Sequence, residues 1–66
     1  MSDLETVKTQ LYENYKRNAE TNDRTIHETL KEERFVIINQ LIGYNFDERK
    51  EIMKEAYEKA YSAYLY

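Results

Sequence analysis

His27 is the only histidine of the chain, and Ser2 and Ser62 are its only serines. Nucleophilic chemistry needs an activated oxygen, a base within hydrogen-bond reach and a third group that orients the base. No such set stands out, and 66 residues leave little room for a pocket that excludes water. The chain is therefore read as non-enzymatic, with no catalytic residue and no cofactor. Metal chemistry is equally poorly supplied. Di-iron bundles carry Glu-x-x-His pairs on inward faces, but the residue three before His27 is Arg24. Asp23 and His27, four apart, give two ligands, too few for a metal site. With no cysteine, thiolate zinc sites, thiol catalysis and disulfides are excluded.

Arginine and tyrosine carry the remaining chemical signal. Wound at roughly 100° per residue, Arg34 falls between Leu30 and Leu41 on an apolar arc, with His27 nearby. Arg49 falls within the arc of Ile52, Met53 and Ala56. Burying an unpaired guanidinium is very costly, so each must snorkel to water or find an acceptor such as Glu33. A sharper alternative has His27, Arg34, Arg49, Tyr57 and Tyr61 line a small polar pocket. Arginine forks grip phosphate or carboxylate, and tyrosine rings stack on a base or sugar. The ligand of such a pocket would be a small nucleotide-like anion.

These residues are positioned by helices. Zero Pro and one Gly leave little to interrupt helical winding. Ser2-Asp3-Leu4-Glu5 has the pattern of a capping box, and Leu4, Val7, Leu11, Tyr15 and Ala19 then recur at helical spacing. The polar stretch Thr21 to Thr25 is expected to break the helix near Asn22, with Thr25-Ile26-His27-Glu28 as a second capping box. The phase argues for continuity, since Leu4, Tyr15, Ile26 and Ile37 lie 11 residues apart, close to three turns. The first two helices are thus either separate or one long rod; separation is favoured because a rod could not bury its stripe within one chain.

The second helix carries Ile26, Leu30, Ile37 and Leu41 inward, with Ile38 and Ile42 widening the stripe up to Gly43, a left-handed C-cap residue by type. Phe35 and Val36 fall outside that arc. Asn45-Phe46-Asp47-Glu48 opens the third helix as another capping box, so a tight turn at Gly43 would make the second and third helices antiparallel neighbours. In the third helix, Ile52, Ala56, Ala60 and Ala63 form one stripe and Met53, Tyr57, Tyr61 and Tyr64 the next; Leu65 and Tyr66 extend its apolar character.

Length and charge bound the rest. A chain of 66 residues buries only about 60% of its extended surface, so its core is marginal and self-association is the expected support. Thirteen acidic against ten basic residues, net −3, and acids interleaved among Arg49, Lys50, Lys54 and Lys59 make nucleic acid an improbable partner. The charge-balanced third helix, with Ala and Tyr inside, does not suit a membrane surface. The start Met-Ser-Asp-Leu-Glu lacks the pattern of a signal peptide, and no apolar run would span a bilayer, so a cytoplasmic location is expected. The liking for Ile, Asn, Lys, Tyr and Glu is that of AT-rich coding sequence, pointing to a phage or low-GC bacterial source.

The sequence therefore predicts a single all-α domain over residues 1–66, a small antiparallel bundle of three helices assembled as a homo-oligomer. The leading functional expectation is a non-catalytic interaction protein, a regulator or inhibitor docking on a larger protein through Phe35, Val36, Tyr57, Tyr61 and Tyr64. Aromatic and arginine side chains are the usual anchors of such contacts. The alternative is a homo-oligomer that sequesters a small anionic ligand.

Overall fold

The structure, a computed structural model, describes residues 3–65, without the side chains of Ala63 and Leu65. It holds three helices: α1 (Leu4–Glu20), α2 (Arg24–Ile38) and α3 (Phe46–Leu65). None is long and apolar enough to cross a membrane.

The caps explain the boundaries. Asp3 caps α1, its carboxylate accepting from the Thr6 amide at 2.7 Å, and that bond holds its carboxyl below the usual range. The cap expected from Ser2 lies outside the described residues. Residues 21–23 are extended, and Asp23, rather than Thr25, caps α2 by accepting from the Thr25 and Ile26 amides. A carboxylate two residues earlier outcompetes the Thr25 hydroxyl, which leaves Thr25 inside the first turn. Asn45 and Glu48 form the reciprocal box expected of them, with bonds of 3.1 and 2.8 Å.

Two expectations are corrected. The second helix does not run to Gly43: it ends at Ile38, after which Gln40 and Leu41 donate to carbonyls only three residues back. Leu41 nevertheless stays buried, while Ile42 points outward at 88% exposure. Gly43 does adopt the left-handed region, φ +94°, but within a connection spanning residues 39–45 rather than at a helix end. Nor are α2 and α3 packed neighbours. Both lie against α1, and they meet each other only marginally.

The core follows from that arrangement. Val7 and Leu11 of α1 are fully buried and cluster with Ile37, Ile38 and Leu41 on one side and Ile52 and Ala56 on the other. Asn14 of α1 reaches Leu30 and Arg34, so α1 and α2 run in opposite senses. Tyr15 meets Tyr57 and Asn18 meets Tyr61, so α1 and α3 run in the same sense. Small residues Ala56 and Ala60 let α3 approach closely, as the stripe implied. Ile26, expected on the inner arc, is instead 42% exposed, in the first turn of α2.

Candidate functional site

Because α2 and α3 both rest on α1 without closing on each other, a trough of about 520 Å³ is left between them. Tyr15 of α1 and Ile38 and Met53 supply its apolar floor, and Phe35, Phe46 and Tyr57 its aromatic sides. Phe35 and Phe46 stand 59% and 78% exposed on the same trough, and clustered exposed apolar side chains mark an interaction surface more than scattered ones do. Its polar lining is Asn39, Arg49, Lys50 and Lys54. A smaller cleft continues it past Tyr15, Phe35 and Met53 to Lys31 and Arg34.

The two arginines are anchored by neutral acceptors. Arg34 donates Nη1 to Asn14 Oδ1 at 2.8 Å, and its guanidinium lies 4.8 Å over the Tyr15 ring. The acceptor is thus Asn14, a fully buried amide, and not Glu33, which instead lies 3.4 Å from Asn14 Nδ2. Arg49 donates Nη2 to the Leu41 carbonyl at 2.8 Å, tying α3 to the turn after α2, while its buried Nε has no acceptor. Neither bond neutralises the guanidinium charge, because both acceptors are uncharged.

The tyrosines form a second connected group. Tyr15 meets Tyr57 edge-on at 5.5 Å, Tyr57 stacks on Tyr61 at 4.5 Å, and Tyr61 lies 6.3 Å from Tyr64. Each such pair adds about 0.5–1.5 kcal/mol beyond area burial. Burial pushes the Tyr15 hydroxyl up from its ordinary value, against the opposing pull of Arg34 and with a further push from Tyr61 and Tyr57. Asn18 donates to the Tyr61 hydroxyl at 2.9 Å, which holds Tyr61 on α1.

Phe35, Arg34, Arg49 and Tyr57 are therefore brought to one contiguous surface. Val36, Tyr61 and Tyr64 do not line it. His27 sits at the α1–α2 turn, its Nε2 2.7 Å from the Thr21 carbonyl, and takes no part in the trough. Among the described residues, no three His, Asp or Glu side chains gather as a metal site requires. Phe46 was missed by the sequence reading, which treated it only as a helix start. The signal was present: continuing the Met53 and Tyr57 stripe seven residues back reaches Phe46.

No family model, curated protein or solved structure matches this chain.

Proposed function

We propose that this chain is a non-catalytic interaction protein, a small regulator or inhibitor that docks on a larger protein through its α2–α3 face. The observation that carries the reading is the exposure of Phe35 and Phe46 at the sides of an apolar trough that the fold leaves open. Phe35 and Tyr57 are the central anchors, and Tyr64, 53% exposed, extends the aromatic surface along α3. Val36, at 65% exposure, and Ile42 lie outside the trough and offer a separate contact for a second copy of the chain.

The alternative, capture of a small nucleotide-like anion, draws on the presence of Arg34, Arg49 and Tyr57 at one surface. It requires both arginine forks to turn toward the ligand, whereas each now holds an internal acceptor. Protein docking requires no such rearrangement.

The test is site-specific photo-crosslinking in the cell of origin, with a benzophenone side chain at position 35 or, as the control, at exposed Lys16. Docking gives a discrete adduct with one larger protein from position 35 and none from position 16. Adducts only at multiples of the chain mass, or none, refute it. Light scattering over a concentration series measures self-association separately, and Val36→Lys should shift that equilibrium toward monomer. Arg34→Ala abolishing uptake of a nucleotide would favour the alternative.

A further inference from the structure

The trough is electrically one-sided in a chain of opposite net charge. Lys31, Arg34, Arg49, Lys50 and Lys54 border it and its continuation, and among the described residues no carboxylate does. These are five of the ten basic residues in a chain of net charge −3. Along the sequence of α3 the charges alternate, but in space they separate. At roughly 100° per residue, Glu48, Glu51, Glu55 and Glu58 fall on the side of α3 away from Phe46, Met53 and Tyr57. Glu48, Glu51 and Glu55 in fact line a cleft against Leu4 and Lys8 of α1. Arg49, Lys50 and Lys54 flank the aromatic stripe instead.

The shape is that of a missing helix. Tyr57 lies 11 positions after Phe46 on α3, roughly 16 Å at about 1.5 Å per residue, or three turns. Two helices that share α1 as a base but do not close on each other leave the position that a fourth helix fills in a bundle. Resting on the reading of the chain as a docking protein, we infer that the trough takes an amphipathic, acidic helix of the partner. Its apolar residues at i, i+4, i+7 and i+11 would meet the floor between Phe35 and Phe46, with its carboxylates facing the lysines. Charge complementarity of this kind fixes orientation and excludes basic helices.

Two synthetic peptides test this, sharing four leucines at those positions and carrying either Glu or Lys at their polar positions. Binding is followed by fluorescence anisotropy. The Glu peptide should bind at least tenfold more tightly than the Lys peptide, and raising NaCl from 50 to 300 mM should weaken it severalfold. Lys50→Glu/Lys54→Glu, at two exposed positions, should remove most of the preference, since three cations then face two carboxylates, while leaving the helical circular dichroism unchanged. Equal affinities, no binding of either peptide, or binding unaffected by the double substitution would each overturn the inference. So would a change in solution mass on the double substitution, which would make a second copy the occupant. Tighter binding of a 15-nucleotide oligothymidine than of the Glu peptide would make the surface a nucleic-acid groove and likewise overturn it. A position-35 crosslink to a larger protein, with no Glu-peptide binding, would leave the docking function standing and remove only the acidic helix.

Discussion

Asn14 offers the sharpest test of how this chain holds its second helix. It is 1% exposed, the one buried polar residue among the described side chains, and lies at the α1–α2 contact. Its Nδ2 donates to the Leu30 carbonyl at 2.9 Å and its Oδ1 accepts from Arg34 at 2.8 Å. Asn14→Ala removes both. A neutral bond contributes about 1 kcal/mol net, and a charge-assisted one about 1.5–3, the latter discounted here because Arg34 is only half-buried. A loss of roughly 2–3 kcal/mol follows. A chain of 66 residues has a total stability of roughly 3–10 kcal/mol, so the variant should lose a large share of its resistance to urea.

Asn14→Leu separates bonding from volume. The Leu30 carbonyl keeps its partner within the α2 ladder, and Arg34 can turn to water, so no group is stranded. Leucine also restores apolar contact with the core, and this variant should therefore be less destabilised than Asn14→Ala. A double-mutant cycle with Arg34→Ala should give a coupling of about 1 kcal/mol between the two side chains. Urea unfolding followed at 222 nm measures the parent chain, Asn14→Leu and the three variants of the cycle. A change below about 0.5 kcal/mol for Asn14→Ala, or no coupling, would show that the buried amide does not clamp α2 onto α1.

Two other outcomes follow from single features. Gly43→Ala should destabilise by about 1–2 kcal/mol through backbone strain alone, since φ is +94° and the added Cβ would meet nothing within 4 Å; thermal denaturation reads the loss. An ultraviolet pH titration should show a step above the ordinary tyrosine value, and Tyr15→Phe should remove that late step. The raised value binds the proton more tightly in the folded chain. The associated stability is therefore fully present below the ordinary tyrosine value of 10.0 and is lost as pH rises through the folded value.

Helix three was legible from both its cap and its stripe, and helix one from its stripe, its observed cap being Asp3 where the box pattern pointed to Ser2. The break near Asn22 was legible from the polar run Thr21 to Thr25, although the cap within it is Asp23 and not Thr25. The end of α2 was not, because Leu41 continues the apolar period yet is buried from a turn rather than from a helix. Periodicity reports which side of the chain faces the core, and a residue folded back by a turn satisfies it equally well. Asn14 is hidden for a related reason. The apolar stripe steps from Leu11 to Tyr15, four residues on, while the residue three on is the polar one that is buried. Arg34 was correctly placed on an apolar face, but its acceptor is 20 positions away on another helix, which spacing within α2 cannot reveal.

The neighbour relation between helices was the larger error, and it is the one from which the candidate site arises. A turn at Gly43 implied that α2 and α3 would pack together, whereas both pack on α1. The connection is instead seven residues long, from 39 to 45, and Arg49 ties the Leu41 carbonyl into it from α3. That length lets α3 cross to α1, whose Val7 and Leu11 serve both neighbours. α1 then has no apolar face left, and α2 and α3 each keep one. The same step changes what the charges mean. Interleaved along the chain, the acids and bases of α3 cancel; in space, Glu48, Glu51 and Glu55 line a cleft beside α1 while Arg49, Lys50 and Lys54 border the open trough. Exposed aromatics and uncompensated cations on one surface are thus two consequences of a single packing choice, and a partner that supplies both apolar contact and negative charge would satisfy them together.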